Sequence, residues 1–121
     1  MKNILALIIL LALPVTAQAG EPWTPREKAL EGAYLALTII DWGQSRYISD
    51  HPDRFYERNR WLPEHPTNKE VDRFFISSTA LHLIVVNALN HQWRQPVQWL
   101  TILEKAYTVN RNHQIGIKIA F

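Results

Sequence analysis

Asp41, His82 and Glu104 are the residues of this chain best suited to chemistry. One imidazole and two carboxylates, brought together, can ligate a divalent ion or form an acid–base pair near neutral pH. Each belongs to a polar stripe at helical spacing. Glu31, Tyr34, Thr38, Asp41 and Ser45 share one helix face, with Gln44 beside them. Ser78 and His82 share a second face, and Thr101, Glu104 and Thr108 a third. A bundle that turns these stripes inward makes Asp41, Gln44, His82 and Glu104 its polar core, with Asp41–His82 the expected pair. The competing explanation is structural. Such groups hydrogen-bond one another to fix helix register, or form the wet side of a soluble bundle. Register or solvation is favoured, because no H-E-x-x-H, E-x-x-H or C-x-x-C spacing is present. The sequence specifies no metal, and no cofactor is expected.

A second group, His51, Glu57, Asn59 and His65, falls in a polar, aromatic-rich connection. His51 and His65 each precede a proline and read as turn residues. Glu57 and His65 would stand at the rim of a chemical site, if the stripes form one. There is no G-x-S-x-G, no glycine-rich phosphate loop and only four glycines, so a hydrolase or nucleotide-binding reading gains no support.

The elements that must position these residues are three helices. The first opens with Thr24-Pro25-Arg26-Glu27, an N-cap hydroxyl, a proline at the first helical position and a glutamate that closes a capping box. It is predicted over about residues 24–48, ahead of the turn Asp50-His51-Pro52-Asp53. Thr67-Asn68-Lys69-Glu70 repeats the capping box and opens a second helix over about 67–90. A third is predicted from Pro96 to Asn110, over 96–110. Prolines at 52, 63 and 66 forbid a long regular element between the first two. After the third helix, Ile115, Ile117, Ile119 and Phe121 alternate with smaller or polar residues, so the tail 114–121 reads as an extended segment. The fold expected is all-α: a small three-helix bundle in one domain, 20–121, with a short extended C-terminal tail.

Residues 1–19 read as a secretory signal peptide. Lys2 supplies the positive charge, Ile4 to Leu13 the apolar run, and Ala17 and Ala19 the small residues of a cleavage site. The chain has no cysteine, so neither a disulfide nor a lipidated N-terminal cysteine stabilises or anchors it. The formal charge of +2 includes Lys2, and acids and bases are interleaved along the rest. No basic block invites nucleic acid.

The apolar content bears on a membrane. No helix offers about 20 mostly apolar residues without polar interruption, which favours a soluble periplasmic bundle. Trp23, Trp42, Tyr47, Trp61 and Trp93 near the segment ends favour an interface. Arg46, Arg54, Arg58, Arg60, Lys69 and Arg73 flank the first connection, whereas only Arg94 flanks the second. With a cleaved signal this agrees with the positive-inside rule. The expectation is an inner-membrane protein of three spans with a periplasmic N-terminus, the soluble bundle being the alternative.

The run Asp41-Trp42-Gly43-Gln44-Ser45, then His51-Pro52, Glu57-x-Asn59, His65-Pro66 and Asn112-x-x-Ile115-Gly116-Ile117 up to Phe121, resembles a group of small exported proteins of proteobacteria and their phages. Members typically read D-W-x-Q-T, H/N-P, E-x-N-P-x-L-G-x-H-P and N-x-x-I-G-I before a terminal Phe. Here Ser45 replaces the threonine, Arg60 the first proline, and Pro63, after Leu62, stands where the glycine of Leu-Gly is usual. The resemblance implies a short multi-helix membrane protein in a phage or prophage setting, and no activity. The expected function is therefore a non-enzymatic envelope protein, acting on a membrane, another envelope protein or a second copy of itself, as in superinfection exclusion or lysis. A small metal- or proton-dependent membrane enzyme or transporter using Asp41, His82 and Glu104 is the alternative.

Overall fold

The computed structural model describes residues 20–121, and the expected signal peptide, 1–19, lies outside them. The described chain folds as three helices, α1 (Pro25–Asp50), α2 (Asn68–Ala88) and α3 (His91–Gln114), with no strand among the described residues. Both predicted capping boxes form. Thr24 accepts from the Glu27 N–H while the Glu27 carboxylate takes the Thr24 N–H, and Thr67 and Glu70 do the same. α1 stops where His51 leaves helical geometry ahead of Pro52, two residues later than expected.

α3 departs further from expectation, starting at His91 and running to Gln114 with Pro96 inside it. Proline withholds one backbone donor there and is ordinarily a starting residue. Tertiary contacts override that preference, because the wholly buried Arg94 pins the turn before the proline to α1 and α2. At the other end Gly116, at φ +91°, closes a Schellman motif: its N–H donates to His113 O at 3.1 Å, and Ile117 N–H to Asn112 O at 3.0 Å. The tail then runs back along α1, with Ile117 buried and the Ala120 N–H donating to Gly43 O at 3.0 Å.

Pairings fix the register. Asp72 meets Trp42 and Arg46, His82 meets Glu31, and Asn87 meets Trp23, so α2 runs antiparallel to α1. Glu27 meets Arg94, Asp41 meets Lys105 and Gln44 meets Asn112, so α3 runs parallel to it. α1 packs on both neighbours, most extensively on α3, whereas α2 and α3 barely touch. The bundle is consequently open between α2 and α3.

Candidate functional site

The inward face of α1 is polar. Glu27, Glu31, Thr38, Asp41, Gln44 and Ser45 are all buried. Buried charge is tolerated only when paired and hydrogen-bonded, and α2 and α3 supply partners in three layers.

The first layer surrounds Glu27. Arg94 Nη1 donates to Glu27 Oε1 at 3.1 Å, and its remaining donors reach Val86 O, Glu21 O and Asn87 O at 2.8, 2.7 and 3.1 Å. His91 places Nδ1 2.9 Å from Glu27 Oε2 and Nε2 2.8 Å from Glu21 Oε2. A carboxylate only accepts, so filling both contacts requires both ring nitrogens to carry protons. Burial works against the Glu27 charge, but the Thr24 N–H, His91 and Arg94 more than offset it and hold the carboxyl at about 2.

In the second layer His82 Nε2 donates to Glu31 Oε1 at 2.8 Å, and Gln98 Nε2 donates to Glu31 Oε2 at 3.1 Å. The His82 ring stacks on Tyr34 at 3.7 Å, and burial pushes the Tyr34 phenol up. In the third, Lys105 Nζ donates to Asp41 Oδ2 at 2.7 Å, Gln44 Nε2 to Val109 O at 3.1 Å, and Asn112 Nδ2 to Gln44 Oε1 at 3.1 Å.

The expected Asp41–His82 pair is not made. The antiparallel register sets His82 opposite Glu31 and Tyr34, and Asp41 lies seven residues, roughly 10 Å, further along α1. Glu104 does not join the core either. Consecutive helical residues point about 100° apart, so turning Lys105 inward leaves Glu104 exposed. Asp41, His82 and Glu104 thus form no common centre, and no group of His, Cys, Asp and Glu among the described residues is arranged to hold a metal ion.

Asp41 and Glu104 instead line a cleft of about 440 Å³ below the open side of the bundle. α1 supplies its floor, including Tyr34, Ser45 and Ile48, and α3 one wall, including Thr101, Thr108 and Arg111. The connection from Tyr56 to Trp61 closes the bottom. Within that connection Glu57 Oε1 accepts from the Asn59 N–H at 3.0 Å, and Asn59 Oδ1 from the Trp61 N–H at 3.0 Å. The Glu57 N–H donates to Glu64 O at 2.7 Å. These bonds build the turn that the E-x-N spacing marks. His51 Nδ1 lies 2.8 Å from Tyr47 O, in the turn where it was expected, and His65 is exposed.

The D-W-G-Q-S run and the C-terminal N-x-x-I-G-I pattern meet. Gln44 bonds Asn112, and the tail that Gly116 turns back crosses Gly43, where an added Cβ would collide with Ile119 and Phe121. Glu27 was expected only as a capping residue, and the α3 residues Arg94, Gln98 and Lys105 were not anticipated. Their signal was present in Arg94, Gln98, Thr101, Lys105, Thr108 and Asn112, which recur at alternating three- and four-residue steps. Starting α3 at Pro96 cut off the beginning of that stripe.

What the fold and site define is a small all-α bundle with an ion-paired interior and a polar side cleft. The chain matches no family model, no curated protein and no solved structure.

Proposed function

We propose that this chain is a small exported envelope protein that works by contact rather than catalysis, seated on a lipid surface by its apolar exterior. One observation carries the reading: α3 is inverted, and the other two helices also leave apolar residues outside. α3 buries only Arg94, Gln98 and Asn112, yet exposes Trp93, Trp99, Leu100, Leu103 and Tyr107. α2 exposes Ile76, Leu83 and Ile84, and α1 adds Ile39 to its small exposed residues Gly32, Ala33 and Ala36. Large exposed apolar surfaces mark membrane or protein contacts. Ionisable groups paired inside and apolar groups outside suit surroundings that hydrate the exterior poorly. The apolar residues occur on all three helices, which suits a lipid layer better than one docked protein.

No helix among the described residues is long and apolar enough to cross a membrane. The proposal therefore seats the bundle in the interface and does not keep the three spans expected from sequence. A role in superinfection exclusion or lysis follows only by analogy with the phage-associated proteins the sequence resembles.

Flotation with lipid vesicles tests the proposal. The protein is expected to rise with the vesicles, and the double substitution Leu100→Glu, Leu103→Glu to stay in the aqueous fraction with its helical circular dichroism intact. Wild type left in the aqueous fraction, or a folded variant that floats equally well, overturns the reading.

A further inference from the structure

Two unfilled groups of opposite charge lie in the cleft. Glu57 is only 9 % exposed, and its Oε2 has no hydrogen-bond partner although Oε1 is taken by the Asn59 N–H. Arg111, on the α3 wall, is half-buried, but its Nε is shielded from solvent and has no hydrogen-bond partner. A buried carboxylate oxygen or guanidinium N–H left unpaired costs free energy, so each calls for a ligand atom of the complementary kind. Glu57 asks for a donor, best a cation, and Arg111 for an acceptor, best an anion.

Net charge narrows the class. The cleft is lined by Asp41, Glu57 and Glu104 against Arg58, Arg60, Lys105 and Arg111. With Asp41 and Lys105 already paired to each other, two carboxylates remain against three guanidiniums, so the cleft presents both signs and favours a zwitterion over a polyanion.

The cleft also continues into a second space. An apolar groove of about 290 Å³ runs between α2 and α3, lined by Leu81, Val85, Val86 and Val97. Trp61, Phe74 and Ser78 belong to both. A polar cleft with both signs of charge that opens into an apolar groove has the layout of an amphiphile site.

We propose that this combined site binds a zwitterionic amphiphile, one whose headgroup carries an ammonium and a phosphate and whose tail is an acyl chain. The ammonium pairs with Glu57, the phosphate with Arg111, and the chain lies in the groove between α2 and α3. The inference goes beyond the lipid-surface reading, which needs only the outer face of the bundle.

The test uses lysophosphatidylethanolamine below its micelle concentration, titrated into the purified protein and followed by calorimetry and by tryptophan fluorescence. Saturable binding at about one molecule per chain is expected. Glu57→Gln keeps the turn-forming oxygen and is expected to weaken binding about tenfold, the worth of one charge-assisted contact. Val85→Trp, which fills the groove, is expected to abolish binding while the helical signal remains. Lysophosphatidylglycerol, which lacks the ammonium, and phosphoethanolamine, which lacks the tail, are each expected to bind at least tenfold more weakly. Equal binding by the phosphatidylglycerol analogue or by folded E57Q removes the headgroup assignment. Equal binding by phosphoethanolamine or by folded V85W removes the groove. No saturable binding at all overturns the site. Vesicle flotation retained by E57Q and V85W would leave the lipid-surface reading standing, so the two proposals fail separately.

Discussion

Arg94 and Glu27 meet at 3.1 Å with neither side chain exposed to solvent. A pair so placed contributes little by comparison with an apolar substitute, but removing one partner strands the other charge in the interior at about 3–5 kcal/mol. Arg94→Met is expected to show a loss of that size in urea unfolding, because Val86 O, Asn87 O and Glu21 O each lose an Arg94 donor as well. Glu27→Gln keeps acceptors for Arg94 and should lose less. The double variant should be more stable than the sum of the two losses implies, and strict additivity would mean that the two side chains act independently.

The same carboxylate sets an acid limit on the fold. Glu27 is held at about 2 against an ordinary 4.5, so its folded-state pKa is depressed. Its contribution is complete above the ordinary value and is lost as pH falls from about 4.5 towards about 2. Asp72, lowered by its hydrogen bonds to Arg46 and Trp42, acts in the same direction. The melting temperature is expected to drop more steeply over that interval in wild type than in Glu27→Gln. Parallel curves would remove Glu27 from the acid response.

Much of the fold was legible because its signals are local. Thr24 with Glu27 and Thr67 with Glu70 are capping boxes whose partners lie within four residues, and both helices start where the boxes place them. The inward stripe of α1 follows from spacing alone. What sequence spacing does not encode is register between helices, which decided the site. His82 and Asp41 do not pair because the antiparallel register of α2 sets His82 opposite Glu31, and the choice between Glu104 and Lys105 rests on about 100° of α3 rotation. Pro96 misled for a similar reason. Its local preference for a helix start yields to Arg94, whose partners Glu21 and Glu27 lie some seventy residues earlier in the chain.

Those registers can be checked by coupling. Asp41 bonds Lys105 at 2.7 Å and His82 bonds Glu31 at 2.8 Å. Double-mutant cycles are expected to give about 1 kcal/mol or more of interaction for Asp41→Asn with Lys105→Met and for Glu31→Gln with His82→Gln. Asp41→Asn combined with His82→Gln should be additive within about 0.5 kcal/mol. A large Asp41–His82 coupling would restore the single polar centre that the sequence suggested and contradict the register described above.

Gly32 and Gly43 share α1 but should respond to alanine with opposite signs. A Cβ at Gly32 meets nothing within 4 Å. Gly32→Ala therefore removes only the entropy that glycine brings to a helix interior, and a gain of roughly 0.5–1 kcal/mol is expected. At Gly43 the same Cβ would run into the side chains of Ile119 and Phe121, and the Ala120 N–H bonds the Gly43 carbonyl itself. The tail must lift to admit it. Overpacking of this kind costs about 1–3 kcal/mol, which outweighs the helical gain, so Gly43→Ala is expected to be less stable than wild type. Carboxypeptidase should also trim its C-terminus faster, since Phe121 would leave its edge-on contact with Trp42 at 5.9 Å. Equal trimming rates with a stabilised Gly43→Ala would show that the tail does not depend on the bare backbone at this position.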